Sequence, residues 1–394
     1  MIPARRRACL AAWALLLSSS ACPAPARPPE PGALRLNLGT EPATLDWMLA
    51  NDSVSFDVVG NLMDGLTRLG EDGRIEPALA ERWTPSEDGL RLTFHLREGV
   101  RWTDGRPLSA SDFVYAWRRL LAPATGAVYA YILHPIRGAR AFNEGLESDP
   151  ETVGVRAPDA RTLEVEFERP ASYFPGVTTF MAAFPAPRWA IETHGDGWTE
   201  PGAIVTLGPF ALAAWRHDDE IDLRANPAYW GGAPPLRRVE MAMVEEASTA
   251  LALFETGRLD FVDYRSLPVA LLPRYIAGPG HLASPQLRTN YIGFNVTRPP
   301  FDDRRVRAAF AMALRRAVIP RVLRGGETPL RSLLPPGLLG HDPEIGLPED
   351  AGRARALLAE AGYPGGEGFP PATLAYNTRE DWRTLLEAVQ AIWA

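Results

Sequence analysis

Apolar and polar side chains alternate along several short stretches of the chain. Residues 34–38 read LRLNL and residues 90–97 read LRLTFHLR, and the pattern recurs at 161–167. A period of two places every second side chain on the same face of a β-strand. These stretches predict half-buried strands, and similar patterns predict strands at 291–295 and 373–376.

Other segments carry apolar residues three and four positions apart, which is the spacing of a helix with one buried face. Ser109 and Asp112 form a predicted capping box, because each can satisfy a backbone amide at a helix start. The buried face of that helix is predicted to hold Phe113, Trp117, Leu120 and Leu121. Helices are also predicted at 53–66, at 247–259, after a cap at Asp302 or Asp303 with Val306, Phe310, Ala313 and Leu314 on one face, at 351–361, and from 379 onward.

Composition narrows the possible functions. With 394 residues, 46% of them apolar, the chain is too long for one ordinary core, so two or more lobes are predicted. All 41 basic residues are arginine, which excludes P-loop and Schiff-base chemistry, since both need lysine. The formal net charge of −7, without a basic run, argues against nucleic acid as a partner.

The start of the chain has the layout of a secretion signal. Three arginines at 5–7 precede a nine-residue apolar stretch at 9–17, and small residues follow up to Cys22. The apolar stretch is too short to span a bilayer, so residues 1–21 are predicted to be a cleaved signal peptide. The proline-rich residues 22–33 are predicted to form an extended tether.

The residue types that bind metals are sparse. Of the two cysteines, Cys9 lies inside the predicted signal, so the mature chain would hold only Cys22 and no internal disulfide. The six histidines are dispersed without the spacing of a metal site, and no cofactor is predicted. Serine, zinc and cysteine hydrolase signatures are also missing from the sequence, so a secreted hydrolase is the least supported function.

Nine short stretches carry a more specific pattern, and they follow one another in order through residues 34–394. They are 42–46 (PATLD), 63–66 (MDGL), 77–83 (PALAERW), 93–97 (TFHLR), 100–105 (VRWTDG), 111–117 (SDFVYAW), 226–230 (NPAYW), 290–295 (NYIGFN) and 300–307 (PFDDRRVR). Together they resemble the large extracytoplasmic solute-binding proteins of the peptide/nickel group of ABC importers. The oligopeptide-binding members are the most similar.

The resemblance implies an α/β fold: a two-lobed periplasmic-binding clamshell of class II type with an additional embedded domain. Mapped onto this chain, lobe I takes 34–63 and 188–287, the embedded domain takes 64–187, and lobe II takes 288–394. Family members run past the equivalent of Ala394. The resemblance therefore implies that lobe II is incomplete here and lacks the aspartate that pairs with the free amino group of a peptide.

It also implies ligand contacts on the first lobe. In oligopeptide-binding members, a short extended segment after the Leu-Asp motif pairs with the backbone of the peptide. Here that segment is Asn51, Asp52 and Ser53, and a plain surface loop is the open alternative. Tyr129 matches a family tyrosine that faces the ligand, whereas Tyr131 is assigned to the core.

On the second lobe, Tyr291 and Asn295 lie on the strand that opens lobe II, where the family contributes cleft residues. For these two residues and for Tyr129, simple burial is the open alternative to ligand contact. No residue is assigned a catalytic or metal-binding role.

The implied partners are an oligopeptide ligand and the permease subunits of an ABC importer, with the binding protein acting as a monomer in the periplasm or at the cell surface. Cys22 after Ser20 and Ala21 resembles the lipobox of bacterial lipoproteins, although Ser19 stands where an aliphatic residue is usual. A lipid anchor on Cys22 is therefore predicted, with ordinary cleavage near Ala21 as the alternative. A truncated, transport-incompetent remnant or a sensor of the same family is the alternative function.

Overall fold

The computed structural model describes residues 31–284, 287–338, 340–376 and 380–394. The predicted signal sequence, Cys22 and most of the predicted tether lie outside these residues. The described strands are β1 (Ala33–Asn37), β2 (Thr67–Leu69), β3 (Ile75–Pro77), β4 (Ala80–Pro85), β5 (Arg91–Leu96), β6 (Val155–Asp159), β7 (Thr162–Glu166), β8 (Phe210–Arg216), β9 (Glu220–Ala225) and β10 (Arg238–Ala242).

The helices lie between and after these strands. They are α1 (Ser53–Leu62), α2 (Ala110–Leu121), α3 (Ala139–Asn143), α4 (Phe174–Val177), α5 (Arg188–His194), α6 (Ala247–Glu255), α7 (Leu272–Ile276), α8 (Arg304–Ala313), α9 (Ile319–Leu323), α10 (Ala351–Glu360) and α11 (Glu380–Trp393). The predicted mixture of strands and helices is confirmed. None of the helices in the described part of the chain combines the length and apolarity needed to span a bilayer.

One four-stranded sheet joins the beginning of the described chain to a much later segment. Its strand order is β1, β10, β9, β8, with β1 parallel to β10 and the other pairs antiparallel. Leu36 of β1 stands opposite Met241 of β10 in this register. The predicted strand at 34–38 is confirmed, and its partner comes from a distant part of the sequence.

A second four-stranded sheet is built from a more compact part of the chain. Its order is β4, β5, β7, β6, and every neighbouring pair is antiparallel. The strands predicted at 90–97 and 161–167 are β5 and β7, which pair with Phe94 opposite Leu163. A separate two-stranded sheet joins β2 and β3.

Helix α2 packs against the second sheet and begins as predicted. Ser109 caps the helix, and its backbone amide donates to Asp112 Oδ2 at 2.9 Å. Trp102 Nε1 donates to the same carboxylate oxygen at 3.1 Å, so the cap also ties the helix to the strand region before it. All four predicted core residues of α2 are buried.

Both four-stranded sheets, α1 and α2 share one continuous hydrophobic core, which extends along the chain from Leu38 to Met241. Trp47, Trp117 and Phe174 are among its largest fully buried side chains. Trp117 Nε1 donates to the carbonyl of Ala183 at 2.8 Å, which satisfies the polar atom of a buried indole.

Residues 287–394 are organised differently. Helices α8 and α10 pack around Ala309, Met312 and Ala354, while α11 buries Leu385, Leu386 and Val389 in a second small cluster. Asp303 caps α8 as predicted. The buried residues of α8 are Val306, Ala309 and Met312, whereas Phe310, Ala313 and Leu314 of the predicted face are only half-buried.

The predictions of strands at 291–295 and 373–376 are wrong. Neither stretch forms a strand in the described residues. Alternation orients side chains to two faces, but a strand also needs a hydrogen-bonding partner. At 291–295 the alternation is real, since Ile292 and Phe294 are half-buried whereas Tyr291, Gly293 and Asn295 are exposed.

Candidate ligand-binding site

The segment Asn51, Asp52 and Ser53 leads directly into α1. Asp52 is the helix N-cap, with φ −123° and ψ 158°, so its backbone is extended. Its Oδ1 accepts from the amides of Val54 at 3.0 Å and Ser55 at 2.8 Å, and its Oδ2 accepts from Ser55 Oγ at 2.6 Å. The carboxylate is therefore occupied within the helix start.

The main chain of this segment is left available. Asn51 and Ser53 are exposed, and no hydrogen bond of the described residues uses the amides of Asn51, Asp52 or Ser53. The Asp52 carbonyl already accepts from the Phe56 amide at 3.2 Å. An extended main chain with free amides can pair with another extended chain.

Tyr129 is linked to this segment by a ring contact with Phe56 of α1. Phe56, one helical turn after Asp52, has its ring centroid 6.2 Å from that of Tyr129 and 5.7 Å from that of Phe180. The Tyr129 and Phe180 rings meet edge to face at 4.9 Å. We call Phe56, Tyr129 and Phe180 the aromatic cluster. All three residues are half-buried, so Tyr129 is neither fully buried in the core nor fully exposed.

Tyr131 extends this cluster outward, with its ring 6.2 Å from that of Tyr129. The assignment of Tyr131 to the core is wrong, because 59% of it is exposed. It lies in a single 3₁₀ turn at Ala130–Leu133, in which Ala130 and Leu133 take the buried positions. A turn this short has no helical periodicity from which the sequence could have shown its outer face.

An ion pair that the sequence did not reveal holds the chain before Asn51. Arg119 of α2 donates from Nη2 to Asp46 Oδ2 at 2.7 Å and from Nη1 to Asp46 Oδ1 at 3.2 Å. Asp46 is buried, and it also accepts from Trp198 Nε1 at 3.3 Å. The carbonyl of Asp46 accepts from Leu49 and Ala50, which forms the turn that delivers the chain to Asn51.

A half-buried carboxyl follows α1. Asp64 Oδ2 accepts from Trp230 Nε1 at 2.7 Å, and Arg97 lies over the Trp230 ring at 4.7 Å. Burial raises the pKa of Asp64, against the lowering effect of hydrogen bonds from Trp230 and Tyr229. Burial and the nearby Asp64 carboxylate raise the pKa of Tyr229 as well. Three stretches of the family pattern, at 63–66, 93–97 and 226–230, therefore meet in one half-buried contact.

Tyr291 and Asn295 stand apart from these contacts. Tyr291 is 74% exposed, which makes its simple burial wrong, and Asn295 is exposed as well. The Asn295 Oδ1 accepts from the Thr297 amide at 3.1 Å and from Thr297 Oγ1 at 2.8 Å. No hydrogen bond or ring contact of the described residues joins either residue to Tyr129 or to the segment at 51–53.

Metal binding finds no support in this part of the molecule. Among residues 31–284, 287–338, 340–376 and 380–394, no group of three or more His, Cys, Asp and Glu side chains is placed to hold a metal ion. The candidate site therefore consists of the main chain at 51–53, the aromatic cluster and the buried Asp46–Arg119 ion pair that precedes this segment.

Comparison with known proteins now decides the family. The model of the bacterial extracellular solute-binding proteins, family 5 (Middle), matches residues 74–394. The chain belongs to this family. The family consists of extracytoplasmic solute-binding proteins, so the resemblance stated from the sequence is confirmed.

Similarity to individual relatives supports the same family. The chain is 34% identical over 370 residues to the dipeptide-binding protein DppE of Bacillus subtilis, covering 91% of this chain and 67% of that protein. It is 34% identical over 338 residues to the probable deoxycholate-binding periplasmic protein YgiS of Escherichia coli, covering 84% of this chain and 63% of that protein. The chain thus spans about two thirds of the length of these relatives.

Among solved structures, the Escherichia coli murein tripeptide-binding protein MppA is similar, with a TM-score of 0.83 at 32% identity. The match covers 92% of this chain and 72% of that chain. The predicted α/β fold of the periplasmic peptide-binding proteins is confirmed by this likeness.

Proposed function

We propose that this chain is the substrate-binding component of an ABC importer, and that it captures extended oligopeptides in a cleft between two lobes. The observation that carries the proposal is the main chain at Asn51, Asp52 and Ser53, whose amides have no partner among the described residues and which is extended at Asp52, the helix cap that lies one turn from the Phe56 contact with Tyr129. Relatives named for dipeptide and murein tripeptide binding support a peptide as the ligand.

In this mechanism the peptide adds as a strand beside the segment at 51–53. Free main-chain amides of the segment supply hydrogen bonds to the peptide backbone, so the affinity depends little on the peptide's sequence. Tyr129 covers one side of the ligand, and Tyr291 and Asn295 approach from the second lobe. Closure removes the ligand from water and presents the protein to a permease, and no bond of the peptide is broken.

The domain boundaries belong to the same proposal. One sheet is formed by β1 together with β8, β9 and β10, which supports a lobe I made of 34–63 and 188–287. The sheet of β4 to β7 lies wholly within 64–187, which supports an embedded domain there. Residues 288–394 form the part of lobe II that carries Tyr291.

Export and anchoring complete the proposal. Residues 1–21 direct secretion, and Cys22 receives the lipid, which holds the binding protein at the membrane near its permease. Residues 22–33 are the tether. Metabolic labelling with a radioactive fatty acid tests this part, since a Cys22→Ser variant should be secreted without label while the wild type retains it.

The decisive experiment removes one main-chain amide at Ser53. Proline suits this position, because it is the first residue of α1 and the preceding Asp52 is extended. Ser53→Pro should therefore fold, yet weaken the binding of an alanine-rich tetrapeptide by about 3–10-fold through the loss of one hydrogen bond. Ser53→Ala keeps the amide and is the matched control.

Binding is measured by calorimetry on the purified chain, with circular dichroism to check folding and mass spectrometry to check that the peptide is recovered intact. Unchanged affinity in Ser53→Pro would contradict pairing at this segment. Binding of deoxycholate but of no peptide would contradict the peptide ligand. A cleaved peptide would support the hydrolase alternative, and a chain that binds nothing would support the remnant.

A further inference from the structure

Two exposed apolar side chains flank the proposed ligand tyrosine. Val128 and Tyr131 are each 59% exposed, although Tyr129 between them packs into the aromatic cluster. Single apolar side chains are common on protein surfaces, but these two lie three positions apart with Tyr129 between them, and the Tyr131 ring extends the cluster, 6.2 Å from the Tyr129 ring. Together with the half-buried cluster they form an apolar surface beside the free main chain at 51–53.

Two of the three chain segments that build this surface carry no charge. Residues 120–133, which supply Tyr129 and its neighbours, contain no acidic or basic side chain, and neither do residues 170–187, which supply Phe180. Charged residues make up 23% of the whole chain, so two such stretches meeting at one cluster set this surface apart.

The acidic residues near the start of α1 are already engaged. The Asp52 carboxylate accepts three hydrogen bonds within the helix cap. Asp57, on the following turn, pairs with Arg265 Nη2 at 2.7 Å. A charged ligand side chain placed on this surface would lose water without gaining a partner, which is unfavourable. An apolar or aromatic side chain would gain contact area and aromatic packing.

We infer that Val128, Tyr131 and the aromatic cluster form a subsite for one large apolar or aromatic side chain of the bound peptide. The inference rests on the proposed function. It adds a side-chain preference to a site that otherwise recognises only the main chain of the peptide. Phe56 and Phe180 support the subsite from below, and Val128 and Tyr131 are the residues that contact the ligand side chain.

The test is a set of alanine tetrapeptides in which each position in turn carries Phe, Leu, Gly, Asp or Arg. Calorimetry on the full purified chain should show that Phe or Leu at one position binds about tenfold tighter than Gly, Asp or Arg at that position. Tyr131→Ser and Val128→Ser should reduce this preference to about twofold by weakening the binding of the Phe and Leu peptides.

Leu69→Ser is the matched control, because Leu69 is also 59% exposed but lies on the β2–β3 sheet. It should leave the preference unchanged. The Val128→Arg variant sharpens the test. It should bind the peptide with Asp at the selected position as tightly as the peptide with Phe there, because the arginine can pair with the aspartate. Peptides that bind equally well whatever their side chains would overturn the subsite and leave the proposed function standing. A failure of every peptide to bind would overturn both.

Discussion

Residues 31–284 and residues 287–394 bury their apolar side chains in different ways. In the first region, two sheets and their helices share one core in which residues such as Phe94 and Leu120 are fully buried. In the second, the described helices form two clusters of three buried residues each. The first region also pairs every alternating stretch predicted as a strand, whereas the second leaves 291–295 and 373–376 unpaired within the described residues.

The difference teaches where a sheet obtains its stability. Alternating side chains cover a core only when neighbouring strands align them over the same surface. In the first region β1 gains this alignment from β10, far along the chain, and β5 gains it from β7. The comparison predicts that equal changes in the two regions have unequal effects.

The largest effect is expected from two matched leucine truncations. Leu120→Ala on α2 empties space inside the large core and should lower the free energy of unfolding by about 3–5 kcal/mol. Leu385→Ala on α11 should lower it by about 2 kcal/mol, because a cluster of three buried residues can close around the gap. Urea unfolding followed by circular dichroism measures both. Equal losses would show that the two regions are packed alike.

A somewhat smaller effect is expected from the ion pairs. Arg119→Met should cost about 3 kcal/mol, because it leaves the buried Asp46 carboxylate without its cation. Arg353→Met is the control from the second region, where Arg353 and Glu360 are each about half exposed, and it should cost about 0–1 kcal/mol. Thermal unfolding at low and high salt separates the two cases, since only the exposed pair is screened. A cost for Arg119→Met as small as that of the control would contradict the role given to Asp46.

The smallest effect concerns pH and the Asp64 contact. Burial raises the pKa of Asp64, so the folded protein holds this proton more tightly than the unfolded chain does. Its contribution to stability is therefore present at acid pH and is lost as pH rises from about 4, the value in an unfolded chain, through the raised pKa.

Asp64→Asn should remove this pH dependence of stability, because the amide oxygen can still accept a hydrogen bond from Trp230 Nε1 but cannot become charged. Urea unfolding between pH 4 and pH 8 should show that the free energy of unfolding of the variant increases relative to that of the wild type as pH rises. A constant difference at every pH would mean that Asp64 ionises as it does in water.

Short-range signals explain what the sequence predicted well. The capping box at Ser109 and Asp112, the cap at Asp303 and the strands β5 and β7 depend on residues a few positions apart, whose local geometry dictates the element. The motifs of the family added the clamshell fold, which periodicity alone does not specify.

Contacts between distant residues explain what was missed. Asp46 and Arg119 lie 73 positions apart, and neither residue type marks its partner in the sequence. Strands β8, β9 and β10 were not assigned, although β9 (EIDLRA) and β10 (RVEMA) do alternate, because each run is short and glycine, proline and aromatic residues stand between them. At the candidate site, the sequence selected Asp52 for its place after a motif, and the structure gives it a second task as helix cap.

That cap has a consequence for the thermodynamics of capture. Because Asp52 fixes the backbone at 51–53 through its three hydrogen bonds, this edge is preorganised before any solute arrives. The entropy of ordering it is spent during folding, so association need not repeat that cost. Recognition at this edge should then resemble docking onto a rigid template, and the peptide alone would supply the conformational adjustment.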